Sequence, residues 1–158
     1  MGAYTELYLP DIVNMQGRLF FDIRDELPNV DEKWFIEAFM KSRIRALLDI
    51  GNWKYANMPP KEVMSVFLDD ECPGGYQRGE EWGGFLPQWV GQIYAFYQWK
   101  YCVRSSELIN VIPLDAMRLH FRVGHQMGLE AAADRIYDDF GFGSLNGELT
   151  LEGLSYDP

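Results

Sequence analysis

The chain has 158 residues and a formal net charge of −10 at pH 7, from 24 acidic against 14 basic residues. The length suits one ordinary domain, and a hydrophobic content of 47% is too high for a chain that is disordered along most of its length. An acidic chain repels phosphate backbones and anionic membranes, so direct binding to nucleic acid or to a membrane surface is disfavoured. The acidity can attract a basic protein partner or imitate DNA, and solubility is the alternative that requires no partner.

The cysteine count and the apolar runs bear on the compartment. The two cysteines, Cys72 and Cys102, come with no other sign of an oxidising environment. No basic segment followed by an apolar core marks a secretory leader, and no apolar run approaches 18 residues. We therefore expect a cytoplasmic protein with reduced thiols and no cofactor.

The first half of the chain shows helical periodicity. Apolar residues recur at three- and four-residue steps and define one helix face, namely Ile12, Met15, Leu19, Ile23 and Leu27. Pro10 suits the first turn of this helix and Pro28 ends it. Asp31 is a suitable N-cap for a second helix, which the pattern extends to Ile50 before Gly51-Asn52 ends it.

The middle of the chain is predicted to contain a short helix, a loop and then an aromatic-rich helix. A short helix is predicted to end near Asp70, and a glycine-rich loop follows over Glu71–Gly84. The segment Trp89–Tyr101 is apolar on nearly every side, which predicts a helix at the centre of the fold. A β-strand is the alternative, because the same rings favour strands, but the length and the lack of strict alternation favour a helix.

Three more helices complete the predicted fold, over Ser105–Val111, Leu114–Arg122 and Leu129–Phe140, with Gly141 as a C-terminal cap. The sequence thus predicts an all-α protein, an irregular bundle of five to seven helices around the aromatic-rich helix. Residues 1–141 form the single domain, and residues 142–158 are a tail that is either disordered or an ordered arm.

Only two histidines, His120 and His125, could serve as a general base. Their spacing of five does not place them on one helix face, so they make a poor metal pair. His125 lies in a turn between glycines, where a hydrogen bond to the backbone is the structural interpretation. The functional interpretation makes His125 a general base beside a carboxylate such as Asp115.

Positive charge and thiol chemistry offer two further candidates. The cluster Lys41, Arg43 and Arg45 could contact an anionic partner, or be a helix face neutralised by nearby acids. Cys102 follows Lys100 and precedes Arg104, and cations lower a thiol pKa; a buried, inert thiol is the alternative. No phosphate-binding loop, nucleophile elbow or calcium loop is present in the sequence.

Four aromatic residues lie in loop-like sequence, where a ring is harder to explain as core. They are Trp53, Tyr55, Tyr76 and Trp82. Together with the Glu71–Gly84 loop they form the predicted partner-binding surface. The alternative is that these rings fold back onto the bundle.

The segment from Trp89 to Ile136 resembles a group of small helical proteins. The resemblance rests on the aromatic run 89–99, Ser105-Ser106-Glu107-Leu108-Ile109, Pro113, His125 and Ala132. These proteins occur in Gram-positive and gut anaerobic bacteria, and some are antitoxin-type partners encoded beside toxin genes. The run 39–43, followed by Asp49 and Gly51, fits the same pattern. The resemblance implies a bacterial, cytoplasmic interaction protein and transfers no active-site residue.

Three functions follow from these observations. The first is a non-enzymatic interaction module, in its specific form an antitoxin that neutralises a partner protein. The second is a hydrolase that uses a histidine and a carboxylate, with or without a metal. The third is an acidic mimic of DNA that inhibits a defence protein, which requires carboxylates spaced like phosphates along one face.

Overall fold

The computed structural model describes residues 2–143, and this part of the chain is helical throughout apart from its connections. A short 3-10 helix over Glu6–Tyr8 precedes nine α helices. They are α1 (Leu9–Glu26), α2 (Glu32–Met40), α3 (Arg43–Asp49), α4 (Trp53–Ala56), α5 (Pro60–Glu71), α6 (Leu86–Tyr101), α7 (Ser105–Val111), α8 (Leu114–Gly124) and α9 (Leu129–Phe140). The all-α class is confirmed, whereas the expected count of five to seven helices is too low.

Ser42 accounts for one of the additional helices. The sequence pattern runs from Asp31 to Ile50 without a break, but α2 ends at Met40 and α3 begins at Arg43. The Ser42 hydroxyl donates to the carbonyl of Phe39 at 2.6 Å and accepts from the Arg45 amide at 3.1 Å. One hydroxyl therefore joins the end of α2 to the start of α3, and the chain turns between them.

The pairing of α1 with α6 is the most extensive helix packing in the described residues. A Cβ atom on Gly91 would lie 2.5 Å from the Gln16 carbonyl oxygen, and the glycine at position 17 lies beside Gln92 and the Gly91 backbone. The Gln16 amide donates to the Gly91 carbonyl at 2.7 Å. Gly17 weakens α1 as an isolated helix, but with Gly91 it allows the two backbones to approach closely.

Helix α6 is buried along most of its length, including the fully buried Val90, Ile93, Tyr94 and Tyr97. It packs against α1, α7, α8 and α9. The two buried phenols donate to backbone carbonyls, Tyr94 to Ile112 at 2.7 Å and Tyr97 to Phe142 at 2.6 Å. The rings thus fill the interior while their hydroxyls remain hydrogen-bonded.

A buried ion pair joins three helices. Arg45 is fully buried, and its guanidinium lies 3.1 Å from the Asp49 carboxylate, which also accepts from the Ser105 amide at 2.9 Å and the Ser105 hydroxyl at 2.5 Å. Gln98 of α6 donates to the Asp49 carbonyl at 3.1 Å. Burial raises the pKa of Asp49 to about 6, while Arg45 and Ser105 oppose the rise. Arg45 therefore does not belong to the predicted surface cluster with Lys41 and Arg43.

The predicted loop is fastened to the connection between α1 and α2. It begins at Cys72, because Glu71 is the last residue of α5. The Asp31 backbone amide donates to the Gln77 carbonyl at 2.8 Å, and the Gly79 backbone amide donates to the Asn29 carbonyl at 3.0 Å. Most side chains of the loop are exposed, yet hydrogen bonds fix its backbone to the α1–α2 connection.

Helix α9 ends at Phe140, and Gly141 has φ 63° as its C-terminal cap, as predicted. The predicted tail, residues 142–158, falls largely outside the described residues, which stop at 143. A search of residues 2–143 for a helix with the length and hydropathy of a membrane span finds none.

Candidate functional site

Helix α4 carries the most exposed of the predicted partner-binding rings. Gly51, with φ 67°, lets the chain turn after α3, and the Asn52 side chain caps α4 by accepting from the Lys54 amide at 3.0 Å. The Trp53 side chain that follows is 71% exposed. The expectation that Trp53 lies at the surface is therefore confirmed.

Tyr55, the second predicted ring, lines a cleft between α3, α4 and α5. The cleft has a volume of about 380 Å³ and is lined by Arg43, Ile44, Leu47, Tyr55, Val66, Asp70 and Glu71. Ile44 and Leu47 are buried at its base, while Asp70 and Glu71 are exposed at its edge. This arrangement offers an apolar base and a charged edge to an incoming side chain.

A second cleft is formed by α1, the end of α4 and the start of α5. It has a volume of 360 Å³ and is lined by Asp11, Asn14, Met15, Ala56, Asn57, Met58, Pro59 and Pro60. We call Trp53 together with these two clefts the α4 surface. Tyr55 and Ala56, which follow Trp53 on α4, each line one of these clefts.

The α4 surface has firm support from the start of the chain. A Cβ atom on Gly51 would lie 2.6 Å from the Cβ of Tyr4, so the N-terminal segment packs directly on the turn before α4. Trp99 of α6 holds this segment, because its indole donates to the Tyr4 carbonyl at 2.8 Å and its carbonyl accepts from the Ala3 amide at 2.9 Å. Burial raises the pKa of Tyr4, consistent with a phenol enclosed in this packing.

The other two predicted rings are elsewhere. Tyr76 is half-buried, and its hydroxyl donates to the Pro28 carbonyl at 2.8 Å. Trp82 is only 6% exposed, so the expectation of an exposed ring is wrong at this position. The reason is that the loop folds back onto the α1–α2 connection and its neighbouring helices. The guanidinium of Arg118, on α8, lies 5.0 Å from the Trp82 ring, and Arg24, on α1, donates to the Trp82 carbonyl at 3.0 Å.

Glu32 anchors this loop and was not singled out by the sequence. Its carboxylate is buried and accepts a hydrogen bond from the Trp82 amide. Burial raises the pKa of Glu32 to about 7; the Trp82 amide and Arg24 oppose the rise, and Glu81 adds to it. Glu32 therefore fixes the loop through a carboxyl group whose protonation is influenced by both Arg24 and Glu81.

His125 forms a local contact. Its Nδ1 donates to the Phe121 carbonyl at 2.5 Å, and its ring stacks on that of Phe121 with centroids 4.5 Å apart. The predicted backbone hydrogen bond is therefore present. Asp115, the carboxylate suggested as a partner, lies 3.9 Å from the Lys33 ammonium group instead.

His120 does meet a carboxylate, with its Nε2 atom 3.1 Å from Asp139. This contact links α8 to α9, and neither residue lines either of the two clefts. A search of residues 2–143 finds no group of three or more histidine, cysteine, aspartate and glutamate side chains placed to hold a metal ion. The pair therefore acts as a helix-to-helix contact.

The thiols show no sign of activation. Burial raises the pKa of Cys102 and of Cys72 above the ordinary thiol value. Of the two interpretations of Cys102, the raised pKa agrees with a buried, inert thiol and not with a thiol activated by Lys100 and Arg104. A thiol of raised pKa is a weaker nucleophile at neutral pH, because less of it is thiolate.

Comparison with family models, with curated proteins and with solved structures finds no match to this chain. The resemblance to antitoxin-type proteins accordingly stays a prediction. The case for function rests on the α4 surface and its geometry.

Proposed function

We propose that the chain is a non-enzymatic protein-interaction module that binds a partner protein through the α4 surface. In the specific form of this proposal, the module is antitoxin-like and neutralises the partner by covering it. One observation carries the proposal: the Trp53 indole is 71% exposed on a four-residue helix in which Tyr55 lines one cleft and Ala56 lines another.

An exposed tryptophan beside concave sites has the features of an interface hot spot. Tryptophan is enriched among the residues that contribute most to binding, and these residues work best when neighbouring contacts exclude water. Clefts of 360 and 380 Å³ are large enough to receive partner side chains around the indole. The α4 surface therefore supplies an anchor and two sites for complementary anchors.

The support beneath the α4 surface favours recognition by a preformed site. The buried contact of Arg45 with Asp49 fixes α3, and Trp99 fixes the N-terminal segment against the turn before α4. In this proposal α6 is the central scaffold of the bundle. A surface held in its binding shape loses less conformational freedom on association.

The enzyme alternative has less support from the geometry. His120 and His125 occupy contacts within α8 and α9, and neither lines the two clefts around α4. A hydrolytic site needs a base within hydrogen-bonding reach of a bound substrate. The two clefts around α4 and the two imidazoles thus lie at different places in the described residues.

The test is co-expression with the products of adjacent genes, including any toxin among them, followed by affinity measurement and a growth assay. We expect Trp53→Ala to weaken binding of the captured partner by at least about 30-fold, since a central tryptophan contributes about 2 kcal/mol or more.

Phe85→Ala is the matched control, because Phe85 is 70% exposed but stacks on Phe21 of α1, with ring centroids 6.0 Å apart. It should leave affinity and growth rescue unchanged. Absence of any captured adjacent product, or equal losses in the two variants, would reject the proposal.

A further inference from the structure

The cleft between α3, α4 and α5 has a chemistry that selects its occupant, and the inference drawn from it rests on the proposed function. We propose that this cleft receives one lysine or arginine side chain of the partner protein. The aliphatic stem would lie on the apolar base, and the cationic head would reach the carboxylates at the edge. The partner segment is thus basic.

The base of the cleft suits an unbranched aliphatic stem. Ile44 and Leu47 are 4% and 2% exposed, and the half-buried Val66 and Tyr55 form its sides. Lysine and arginine bury their methylene stems on such surfaces while their charged ends remain at the rim. A volume of 380 Å³ is within the range of small-ligand sites, roughly 300–1,000 Å³.

The carboxylates at the edge of the cleft lie at the C-terminal end of α5, where a helix disfavours negative charge. Helix α5 ends with Asp69, Asp70 and Glu71 and has no basic residue in its last turn. The C-terminal end of a helix carries partial negative charge, which favours cations and disfavours carboxylates. Glu71 is already compensated in part, because its carboxylate accepts from the first amide of α3. Asp70 is the lining carboxylate whose repulsion a cation from outside would relieve.

The groups that line the cleft do not neutralise it. Arg43 is its one cationic lining residue in the described structure, against the two carboxylates of Asp70 and Glu71. The Glu71 carboxylate accepts from the Arg43 backbone amide at 2.9 and 3.1 Å, which joins the end of α5 to the start of α3. The chain as a whole carries a net charge of −10, which adds to the attraction for a basic segment.

The other α4 cleft differs in composition and serves as an internal comparison. Among the described residues that line it, Asp11 is charged and the others are neutral. The described residues of each lining sum to a charge of −1, but the cleft beside α5 offers two carboxylates and the other cleft offers one, and we therefore assign the cationic side chain to the cleft beside α5.

The experiment uses defined probes on the whole chain, followed by NMR of methyl groups. The probes are N-acetyl-arginine amide, N-acetyl-lysine amide and the neutral N-acetyl-norleucine amide. We expect saturable shifts of the Ile44, Leu47 and Val66 methyl signals with one or both cationic probes, and at least five-fold weaker binding of the neutral probe. Equal binding of the neutral probe, or shifts centred on Met15 of the other cleft, would overturn the proposal.

Two variants sharpen the result. Asp70→Asn should weaken binding of the cationic probe by at least three-fold, whereas Asp138→Asn, which removes the same charge from the exposed face of α9, should leave it unchanged. Equal weakening by both variants would mean that only overall charge attracts the probe, and would reject the cleft as the site.

The failure of this inference is distinguishable from the failure of the proposed function. If Trp53→Ala abolishes partner binding while Asp70→Asn and the cationic probes have no effect, the interaction module stands and the cationic cleft is rejected. If the probes bind the cleft as expected but no adjacent gene product is captured, the proposed function is rejected and the cleft chemistry stands.

Discussion

Helices α3 and α4 are separated by only three residues and expose opposite kinds of side chain. Helix α3 places the Arg45 guanidinium and the Asp49 carboxylate in the interior, whereas α4 leaves the Trp53 indole 71% exposed. Solvation alone favours the reverse, with charges outside and the large ring inside. The difference teaches that the buried charges serve cohesion through directional hydrogen bonds, while the exposed ring is available to a partner.

The largest effect is expected at the buried charge. Arg45→Ala leaves the Asp49 carboxylate buried without its counter-ion, and we expect the free energy of unfolding to fall by about 3–5 kcal/mol. Urea unfolding followed by circular dichroism measures the change.

The matched control is Arg18→Ala, because Arg18 and Asp22 form a pair with the same four-residue spacing on α1, 2.9 Å apart, with Arg18 62% exposed. Its loss should be about 0.5 kcal/mol or less. Similar losses at the two arginines would mean that burial does not distinguish these pairs.

A smaller and pH-dependent effect is expected at Glu32. Its pKa is raised by burial from 4.5 to about 7, so the folded state holds a proton that the unfolded state releases in this range. The stability that this proton contributes is fully present below pH 4.5 and is lost as the pH rises through about 7. We expect Glu32→Gln to remove this loss, so that the variant gains stability relative to the native chain between pH 4.5 and pH 8.

Unfolding measured at several pH values tests this prediction. Glu62→Gln on the exposed face of α5 is the control and should track the native chain apart from a constant offset. A native chain and a Glu32→Gln variant with parallel stability profiles would contradict a raised pKa at Glu32.

The smallest effect on stability is expected at Trp53, the residue at which we expect the largest effect on partner binding. Trp53→Ala should change the free energy of unfolding by no more than about 0.5 kcal/mol, because most of the ring already contacts water. Trp82→Ala, at a ring only 6% exposed, should cost about 3 kcal/mol. Thermal unfolding of the two variants compares them, and a large loss at Trp53 would show that its role is structural.

Much of the helical architecture is predictable because it depends on local sequence. The stripe from Ile12 to Ile23 is buried on α1, Asp31 caps α2 by accepting from the Trp34 amide at 3.3 Å, and the aromatic run forms α6. The break at Ser42 is harder to predict, since serine is tolerated within a helix. Its hydroxyl ends one helix and starts the next only because the chain turns there.

The burial of Arg45 depends on residues far away in the chain. An arginine four residues before an aspartate is typical of an exposed helix face, and Arg18 with Asp22 is such a case. The contacts that enclose Arg45 and Asp49 come from Gln98 and Ser105, about fifty residues later. Local periodicity contains no information about them.

The candidate site was predictable only in part. The exposure of Trp53 follows from loop-like sequence between two helices, but the same argument is wrong for Trp82, whose environment is set by Glu32 and Arg118. The two clefts around α4 could not be predicted, because their walls come from helices α1, α3 and α5. Which apolar residues meet at a cleft is a property of packing.

The close pairing of α1 with α6 also has a kinetic consequence. The hydrogen bond from Gln16 to Gly91 spans 75 residues, so the first and sixth helices meet only after a long loop has closed. Helical domains usually fold fast because their contacts are local, and long-range contacts slow the search. We expect this protein to refold more slowly than helical bundles of similar size in which helices adjacent in sequence pair. Replacement of Gly17 or Gly91, at the crossing of α1 and α6, should change the refolding rate most.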